Sequence, residues 1–392
     1  MSHEQQPESV VIVGAGVAGW RAARDLRGAG YGGTVTVIGD EAPYDRPPLS
    51  KQYLSGEYDD ARISLYRGEE PASLDVTVRE ARAALVRPGE VALDDGETVA
   101  ADAIIVATGS AARRPAMLDG HDIFTLRTRE DARALRAALA EAGSLLVLGG
   151  GFIGAEVAAT ARTAGLAVTV VELQPTLLGG ALGVECGRRI ERVHREHGVE
   201  LVTGVGVERL EARDGDAIVV LADGRELSAD VAVAGFGAEL NLEVFAGTGI
   251  DVTAGVQCDE FGRVEGLPGI WAAGDIAAWH DPVLGEPVRR EHWQVAGEQA
   301  SIVARTIAGG PIAKRNPPYF WSDQFDLKVQ VFGRPELADR EEWVSGEDVE
   351  PQSVRGHYCG EHLVAVTTFG IPRLLGQWRP QVIESLAAAT AS

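Results

Sequence analysis

Three glycines near the start of the chain have the spacing of a phosphate-binding turn. Gly14, Gly16 and Gly19 form a G-x-G-x-x-G pattern. They follow the apolar run 10–13 and precede a helix-like segment. A strand that turns into a helix at such glycines points the first N–H groups of the helix at an anion. The backbone can approach a ligand closely there because glycine has no Cβ. The stretch predicts a site for the diphosphate of a dinucleotide.

The same pattern occurs a second time in a similar context. Gly149, Gly151 and Gly154 follow the apolar run 145–148 and precede another helix-like segment. A further match within residues 28–33 follows a helix and precedes a strand, so we interpret it as the loop that leaves the first helix. Two strand–glycine–helix units indicate two dinucleotides rather than one. The alternative is glycine-rich turns in unrelated α/β packing.

A carboxylate follows each glycine loop at the end of the next strand. The run 35–38 ends at Asp40 and Glu41, and the run 168–171 ends at Glu172. A carboxylate at this place accepts hydrogen bonds from ribose hydroxyls and repels a 2′-phosphate. The pattern therefore predicts one ribose at each strand end.

Small residues end two further strand-like runs, where a ligand can approach the carboxyl edge of a sheet. These residues are Ala107, Thr108 and Gly109 in one run and Gly235 and Gly237 in the other.

Two polar residues beside such runs have roles that the pattern leaves open. Asp275 directly follows a strand-like run that ends in glycine, so its carboxylate either binds a polyol or caps a helix. Lys51 follows the prolines at 47 and 48, which forbid a regular helix at that point, and Ser50 can cap a helix that begins after them. Lys51 is then predicted on the first turn of that helix, as a solvated residue or as an active-site cation.

Composition limits the classes of function. The 392 residues are 45% hydrophobic and 24% charged, as in a soluble globular protein of two or three domains. The net charge of −22 argues against general nucleic-acid binding. No apolar run is long enough to span a bilayer, and the polar, acidic segment 1–9 does not resemble a signal peptide. Three widely separated cysteines form no redox or metal motif, so we expect no metal and a reducing, cytoplasmic location.

The C-terminal region differs in composition from the rest of the chain. Residues 317–325 are rich in aromatic side chains, although aromatic residues make up only 6% of the whole chain. Strand-like runs follow at 327–333, 353–359 and 362–370, and a helix-like segment extends from about Ile371 to Ala388. We predict a small α+β domain with its own sheet.

Taken together, the motifs resemble those of FAD-dependent ferredoxin reductases that serve cytochrome P450s or Rieske oxygenases, a putidaredoxin-reductase-like branch of the glutathione-reductase superfamily. In chain order they are GAGVAG, PYDRPPLSK, VATG, GGGFIGAE, GD, EHW and FWSDQ. The glycine motifs mark the wider superfamily, whereas PYDRPPLSK, EHW and FWSDQ together are specific to this branch. The resemblance covers essentially the whole chain.

The resemblance implies an α/β fold with two Rossmann-like, three-layer dinucleotide-binding domains and a small α+β C-terminal domain. The implied domains are an FAD-binding domain at 1–112 and 244–316, an NAD-binding domain at 113–243 and a C-terminal domain at 317–392.

The resemblance also implies that FAD binds at the first glycine unit and NADH at the second. The residues implied to bind a cofactor are Gly14, Gly16, Gly19, Asp40, Arg46, Lys51, Ala107, Thr108, Gly109, Arg114, Asp275, Trp293, Gly149, Gly151, Ile153, Gly154, Glu172, Gly235 and Gly237. In this set Asp40 would hold the FAD ribose, Asp275 the ribityl chain, and Trp293 would lie by the flavin ring. Arg114 is surface charge in the alternative interpretation.

Lys51 and Glu156 are the catalytic residues that the resemblance implies. Lys51 would lie near flavin N5 and pair with Glu156, on the first turn of the helix after Gly154. The alternative for Glu156 is an anion that favours a helix N-terminus. The implied chemistry is hydride transfer from nicotinamide to flavin, followed by single-electron transfer to a [2Fe-2S] ferredoxin. Thiol chemistry is not expected, since residues 41–54 contain no cysteine.

The chain departs from the family pattern in two places. Family members often carry a basic residue shortly after the acidic strand end, but no arginine or lysine lies between Glu172 and Arg188. This departure favours NADH over NADPH and removes a clamp on the cofactor. In addition, Leu240 replaces a family proline just before Asn241.

Other functions fit the same motifs. A rubredoxin reductase or an NADH oxidase would differ in its electron acceptor. A redox-sensing interaction protein, similar to apoptosis-inducing factor, would use the flavin–NADH complex as a conformational switch. Ferredoxins are typically acidic, so docking on this acidic chain requires a local basic patch. The candidate residues for that patch are Arg289, Arg290, Lys314, Arg315, Arg373 and Arg379.

Overall fold

A computed structural model describes residues 6–213, 216–312, 314–370 and 372–389. The chain divides into two compact units, which are described separately. Unit 1 comprises Met1–Asp45, Asp60–Ala111 and Glu239–Asn316, and unit 2 comprises Arg46–Asp59, Ala112–Ala238 and Pro317–Ser392. The predicted division into three domains stays a prediction. Within the described ranges, no helix has the length and apolar character that crossing a membrane requires.

Helices and strands alternate in two stretches, 9–39 and 129–203, and runs of consecutive strands occupy much of the rest of the described chain. The α-helices of the described residues are α1 (Val17–Gly28), α2 (Asp60–Ile63), α3 (Arg129–Ala140), α4 (Phe152–Thr163), α5 (Gly179–Leu182), α6 (Val184–Glu196), α7 (Trp293–Ile307) and α8 (Arg373–Ala389). Short 3-10 helices cover Pro47–Ser50, Pro71–Leu74, Ala116–Leu118, Glu243–Phe245 and Pro335–Leu337. The strands are β1 (Ser9–Val13), β2 (Thr34–Gly39), β3 (Thr77–Glu80), β4 (Ala83–Arg87), β5 (Glu90–Leu93), β6 (Thr98–Ala100), β7 (Ala103–Val106), β8 (Ser110–Ala112), β9 (Ser144–Leu148), β10 (Ala167–Glu172), β11 (Glu200–Thr203), β12 (Val207–Arg213), β13 (Asp216–Leu221), β14 (Glu226–Ala229), β15 (Val231–Ala234), β16 (Ala238–Leu240), β17 (Val256–Cys258), β18 (Ile270–Ala272), β19 (Ala277–Asp281), β20 (Glu286–Arg289), β21 (Tyr319–Gln324), β22 (Leu327–Gly333), β23 (Arg340–Ser345), β24 (Ser353–Cys359) and β25 (His362–Gly370).

Unit 1 is built on a five-stranded parallel sheet with the strand order β18-β7-β1-β2-β3. Its central strands are continuous apolar runs because a parallel sheet is covered on both faces. Ile12 and Ile105, for example, are fully buried. An antiparallel sheet, β4-β5-β6, and a mixed sheet, β17-β19-β20, in which β17 and β19 run parallel, complete the unit. The glycine match within residues 28–33 lies between the end of α1 and the start of β2, which confirms its interpretation as a loop.

Unit 2 contains a four-stranded parallel sheet, a small antiparallel sheet and a larger antiparallel sheet from the C-terminal region. The parallel sheet has the order β11-β10-β9-β15, and the small sheet has the order β12-β13-β14. The C-terminal sheet has the order β21-β22-β25-β24-β23 and packs against α8. A sheet of its own in this region is therefore confirmed.

The C-terminal sheet contains two strands that the sequence pattern does not predict, β21 and β23. β23 has the sequence REEWVS, in which charged residues dominate and the inward face is only half-buried. The strand-like runs at 327–333, 353–359 and 362–370 are confirmed as β22, β24 and β25. The helix expected from about Ile371 to Ala388 is α8, and Ile371 lies outside the described residues.

Two side chains of α6 attach this helix to the C-terminal sheet within unit 2. Arg189 Nη1 donates hydrogen bonds to the carbonyl oxygen of Asp348 (2.7 Å) and to Ser353 Oγ (2.6 Å). His194 is fully buried, and its Nε2 lies 2.9 Å from Gln324 Oε1 at the end of β21. Burial lowers the pKa of His194 to about 4. The imidazole is therefore neutral in the folded protein at neutral pH.

We expect His194 to make the folded state less stable as the pH falls. The unfolded chain binds a proton at a histidine near pH 6.5, whereas the folded state binds one here only near pH 4. The unfolded state thus holds more protons between these values, and stability present above pH 6.5 is lost as the pH falls through this window. A difference of this size corresponds to roughly 3 kcal/mol in the free energy of unfolding.

The measurement is the urea midpoint of unfolding between about pH 7 and pH 5 for the wild type and for His194→Gln, whose amide can still donate to Gln324. The midpoint should fall less steeply in the variant, because its side chain does not titrate. His197→Gln, at an exposed position three residues away, should keep the wild-type slope. Equal slopes in the wild type and in His194→Gln would contradict the expectation.

Candidate functional site

The first glycine loop forms a turn that only glycines can make. Gly14 has a φ of +105°, and a Cβ on it would lie 2.3 Å from the carbonyl oxygen of Ala107. A Cβ on Gly19 would lie 1.8 Å from the carbonyl oxygen of Gly14. Gly16 precedes the first residue of α1 as its N-cap. The predicted strand–glycine–helix unit is therefore present, with the backbone of the loop pressed against β7 and α1.

The second glycine loop repeats this geometry in unit 2. Gly149 has a φ of +103°, and a Cβ on it would lie 2.5 Å from the carbonyl oxygen of Gly235. A Cβ on Gly154 would lie 1.9 Å from the carbonyl oxygen of Gly149. At Gly151, the N-cap of α4, a Cβ would meet no atom of the described residues within 4 Å. The approach to this helix N-terminus is therefore open at Gly151, as the predicted diphosphate site requires.

The small-residue turn after β7 is held by a side chain that sequence reasoning missed. Thr108 Oγ1 donates to the carbonyl oxygen of Asn241 (2.7 Å), and Asn241 Nδ2 donates to that of Thr108 (2.9 Å). The backbone N–H of Asn241 also donates to the carbonyl oxygen of Gly109 (3.0 Å). The only sequence signal for Asn241 is that it directly follows Leu240, the residue that replaces a proline of the family pattern.

Asp275 lies in a turn between two strands of unit 1. Its Oδ2 accepts a hydrogen bond from Ser110 Oγ at 2.7 Å. The alternative role as a helix N-cap is wrong, because β19 begins at Ala277 and no helix starts there. Gly274 permits the turn with a φ of +83°. The carboxylate is thus held at the end of β18, and its polyol contact stays a prediction.

Asp40 is exposed directly after β2, at the predicted place. The adjacent carboxylate of Glu41 is engaged by the protein itself, since it accepts a hydrogen bond from Tyr44 Oη (2.8 Å). Of the two acidic residues at this strand end, Asp40 is therefore the better ribose ligand, and that role stays a prediction.

Trp293 is the first residue of α7, and the residue is 37% exposed. Nε1 of the indole donates to Asp45 Oδ1 at 2.9 Å. One hydrogen bond thus orients an aromatic ring that remains accessible for stacking.

A buried ion pair joins Lys51 and Glu156 in unit 2. Lys51 Nζ lies 2.6 Å from Glu156 Oε2, and the side chains are 12% and 5% exposed. Ser50 Oγ donates to the same carboxylate oxygen (2.6 Å), and Ser322 Oγ donates to Oε1 (2.6 Å). A buried carboxylate needs such partners to keep its charge. The structure brings the two residues together as the resemblance implies, and their catalytic roles stay a prediction.

The predicted helix turn at Lys51 is wrong. A 3-10 helix covers Pro47–Ser50, and Lys51 follows its last residue. The two prolines take the first positions of this short helix, where no backbone N–H is required. The N–H of Lys51 donates to the carbonyl oxygen of Pro48 (3.0 Å) and closes the turn. Arg46, which is half-buried, precedes the turn as its N-cap.

The predicted place of Glu156 on the first turn of its helix is also wrong. α4 begins at Phe152, because Gly151 is still its N-cap, so Glu156 begins the second turn. It is 4% exposed and paired. The alternative role as a solvated anion at the helix N-terminus therefore does not apply.

Glu172 braces the second glycine loop. Its Oε2 accepts a hydrogen bond from the N–H of Gly150 (2.5 Å), and its Oε1 accepts one from the N–H of Gln174 (2.6 Å). The residue ends β10, at the predicted place. The sequence does not predict these two hydrogen bonds from Gly150 and Gln174, because backbone N–H groups are present at every residue except proline. Ribose binding by Glu172 stays a prediction.

Three other predicted ligand residues lie in unit 2. Ile153, on the first turn of α4, is 43% exposed. Arg114 is exposed, and its Nη1 donates to the carbonyl oxygen of Ile123 (3.1 Å). The carbonyl oxygen of Gly237 accepts a hydrogen bond from the N–H of Arg113 (3.0 Å). Their contacts with a cofactor stay predictions.

Most of the candidate docking cations are held by internal contacts. These contacts are Arg289 with Glu291, Arg290 with Asp281, Arg315 with the carbonyl oxygen of His280, and Arg379 over the ring of Phe332. Lys314 and Arg373 are exposed. These two are accordingly the strongest candidates for contact with a partner.

Comparisons with known proteins extend over most of the chain. A family described as pyridine nucleotide-disulphide oxidoreductase matches residues 8–300, and a second, described as reductase C-terminal, matches residues 319–391. Rhodocoxin reductase from Rhodococcus erythropolis is 38% identical over 351 residues, which cover 84% of this chain and 79% of the relative. The ferredoxin–NAD(+) reductase component of an anthranilate 1,2-dioxygenase system from Burkholderia cepacia is 38% identical over 340 residues, which cover 82% and 81%.

A comparison with solved structures supports the predicted fold. The covalent complex of putidaredoxin reductase with putidaredoxin matches with a TM-score of 0.92 and 30% identity, over 97% of this chain and 94% of that chain. The predicted glutathione-reductase-like α/β fold is thereby confirmed. From its two glycine loops and these matches, the chain belongs to the pyridine nucleotide-disulphide oxidoreductase family, in the branch with a reductase C-terminal domain.

Proposed function

We propose that the protein passes electrons from NADH through FAD to a [2Fe-2S] ferredoxin that serves a cytochrome P450 or a Rieske oxygenase. The observation that carries the proposal is the presence of two separate glycine loops, one in each unit, each with a carboxylate at the next strand end. Two relatives with reductase names that align over most of this chain, and a structural match to a reductase bound to its ferredoxin, support the same activity.

FAD belongs to unit 1 in this proposal. The loop of Gly14, Gly16 and Gly19 binds its diphosphate, and Asp40 accepts hydrogen bonds from its ribose. Asp275, held by Ser110, binds the polyol chain. FAD, when bound, accepts a hydride from NADH and releases electrons one at a time. The task of the chain is to bind and orient the cofactor and to exclude water.

NADH belongs to unit 2. The N–H groups at the start of α4 bind its diphosphate, and the open approach at Gly151 gives it room. Glu172 accepts ribose hydroxyls and disfavours a 2′-phosphate by charge repulsion. Lys51 supplies a fixed positive charge to the reaction, because Glu156 holds its ammonium group in one place.

Disulfide reduction, which the family description names, is not the activity that the cysteines support. Burial raises the pKa of Cys186 to about 12, and it raises the pKa of Cys258 as well. The nucleophile in thiol chemistry is the thiolate, so these two residues are inert at neutral pH. Cys359 is exposed and free. Three unpaired cysteines also support a reducing, cytoplasmic location, which is part of the proposal.

The test of the function is anaerobic reduction of the purified yellow protein. NADH should bleach the flavin absorbance faster than NADPH, and the reduced protein should then reduce putidaredoxin faster than rubredoxin or oxygen. Bleaching by neither nucleotide would overturn the proposal. Faster turnover with rubredoxin or oxygen than with putidaredoxin would favour the alternative acceptors.

We expect Glu172→Gln to weaken the preference for NADH. The amide keeps an acceptor for one loop N–H but removes the charge that repels a 2′-phosphate. The ratio of the bleaching rates with NADPH and NADH should rise roughly tenfold, as for one charged contact. Glu200→Gln, at an exposed glutamate on β11, is the matched control. An unchanged ratio in Glu172→Gln would count against the assigned role.

We expect Lys51→Met to slow NADH-driven bleaching and to destabilise the fold. The loss of the cation leaves Glu156 buried without its partner, which costs about 3 to 5 kcal/mol. The double variant Lys51→Met with Glu156→Gln should recover most of the stability but not the rate. Urea unfolding and stopped-flow absorbance separate the two effects. Lys328→Met, at another ion-paired lysine, should leave the rate unchanged, and recovery of the rate in the double variant would contradict the role of Lys51.

We expect Lys314→Glu and Arg373→Glu to slow the reduction of an acidic ferredoxin. Reversed charge lowers the rate of encounter at low ionic strength, and salt should shrink the difference. NADH-to-ferricyanide activity should stay at the wild-type value. Arg87→Glu, at an exposed arginine outside the candidate set, is the control. Equal loss of both activities would remove these residues from the docking surface.

A further inference from the structure

A chain of hydrogen bonds leads from Glu156 into the interior of unit 2. Ser322 Oγ donates to Glu156 Oε1 at 2.6 Å, and Gln324 Nε2 donates to Ser322 Oγ at 2.8 Å. Gln324 Oε1 lies 2.9 Å from His194 Nε2. Ser322, Gln324 and His194 are all fully buried. The three residues come from β21 and α6, and they meet a carboxylate on α4.

The donors and acceptors available on these groups allow only one direction of donation along this series of hydrogen bonds. The Glu156 carboxylate, beside the Lys51 ammonium, can only accept, so Ser322 donates its single proton to it. Ser322 Oγ must then accept, which requires the amide nitrogen of Gln324 on that side. The amide oxygen therefore faces His194, whose Nε2 must carry a proton.

The state of the histidine agrees with this direction. A neutral imidazole with its proton on Nε2 has a lone pair on Nδ1, and Nδ1 of His194 has no hydrogen-bond partner among the described residues. Burial also lowers the pKa of His194 to about 4, so the ring is neutral at physiological pH. Every donor in the chain thus points toward Glu156.

We propose that Ser322, Gln324 and His194 are positioning residues that hold Glu156 as the fixed counter-ion of Lys51. The assignment to NADH oxidation rests on the proposed function, whereas the effect on Lys51 does not. The opposite side of the carboxylate is fixed by Ser50, whose carbonyl oxygen accepts a hydrogen bond from Thr160 Oγ1 at 2.8 Å. Both carboxylate oxygens are therefore assigned to donors on different elements, and the carboxylate cannot rotate without losing one.

Apolar residues often stabilise a protein interior as well as a network of buried polar groups does. The series of hydrogen bonds additionally restricts the Lys51–Glu156 ion pair to a single geometry. Loss of Ser322 Oγ would free one oxygen of Glu156 and let the carboxylate turn. Lys51 Nζ, which has that carboxylate as its ion-pair partner at 2.6 Å, would then be held less firmly.

The composition of the chain offers a direct probe of Lys51. The sequence contains three lysines, Lys51, Lys314 and Lys328, so amine modification followed by mass spectrometry resolves each of them. In the holoenzyme Lys51 should react with acetic anhydride far more slowly than exposed Lys314. Ser322→Ala should raise the rate of Lys51 modification about tenfold, which corresponds to the free energy of one hydrogen bond to a charged group. The rate of Lys314 modification should stay unchanged.

Ser353→Ala is the matched control. Ser353 is also a fully buried serine of the C-terminal sheet, and its hydroxyl accepts from Arg189 rather than serving Glu156. It should lower stability to a similar extent without changing Lys51 modification. Gln324→Met removes the donor to Ser322 at similar volume and should act in the same direction as Ser322→Ala, so it decides the matter if Ser322→Ala does not fold.

Stopped-flow reduction by NADH gives the second readout. In Ser322→Ala the limiting rate of bleaching should fall about tenfold, while the apparent dissociation constant for NADH stays within about twofold of the wild type. Wild-type modification of Lys51 in both Ser322→Ala and Gln324→Met would overturn the proposal, and so would equal acceleration in Ser353→Ala. If NADH does not bleach even the wild type, the proposed function fails, and the modification rates still decide the role of the three residues.

Discussion

A buried negative charge sets the arrangement of unit 2. Removing a carboxylate from water is costly unless cations and hydrogen-bond donors replace the solvent. Glu156 receives the Lys51 ammonium and the Ser50 hydroxyl on one oxygen and the Ser322 hydroxyl on the other. These donors come from a proline-rich turn and from the first strand of the C-terminal sheet. One carboxylate on α4 therefore requires two chain segments, far apart in sequence, to meet on the same helix.

A second constraint, repeated in both units, is the close approach of backbone to backbone at the glycine loops. In unit 1 the contact joins Gly14 to Ala107, and in unit 2 it joins Gly149 to Gly235. In both cases the loop presses against the strand that ends beside it in the same sheet, and any Cβ would collide. This repeated geometry is what the proposed binding of one dinucleotide in each unit requires, because helix N–H groups can then meet an anion without an intervening side chain.

The sequence predicts local features of this structure well, because they depend on neighbours in the chain. Glycine spacing, apolar runs and acidic strand ends locate both loops and the carboxylates of Asp40 and Glu172. The turn at Lys51 is predicted wrongly because two prolines suit a short 3-10 helix as well as they suit the start of a longer one. Proximity of Lys51 to Glu156 follows from the family resemblance and not from the pattern.

Contacts between distant residues are the part that the sequence does not reveal. Ser322 lies 166 positions from Glu156, and Asn241 lies 133 positions from Thr108. Serine, glutamine, histidine and asparagine are common polar residues whose types alone give no sign of burial. Only the fold shows that Ser322, Gln324 and His194 share one interior.

Helix α4 connects the second glycine loop of unit 2 to the buried carboxylate of Glu156. Its N-terminus faces the open space at Gly151, and its second turn carries Glu156. An α-helix advances 1.5 Å per residue, so the five residues from Gly151 to Glu156 fix about 7.5 Å along its axis between the N-terminal end and the buried carboxylate. A dinucleotide bound at the first turn, as proposed, would lie at a set distance from the ion pair. Ser322 and Ser50 donate to Glu156 from outside the helix, so the contacts that hold the charge pair also tie the helix that follows the second glycine loop to two distant chain segments.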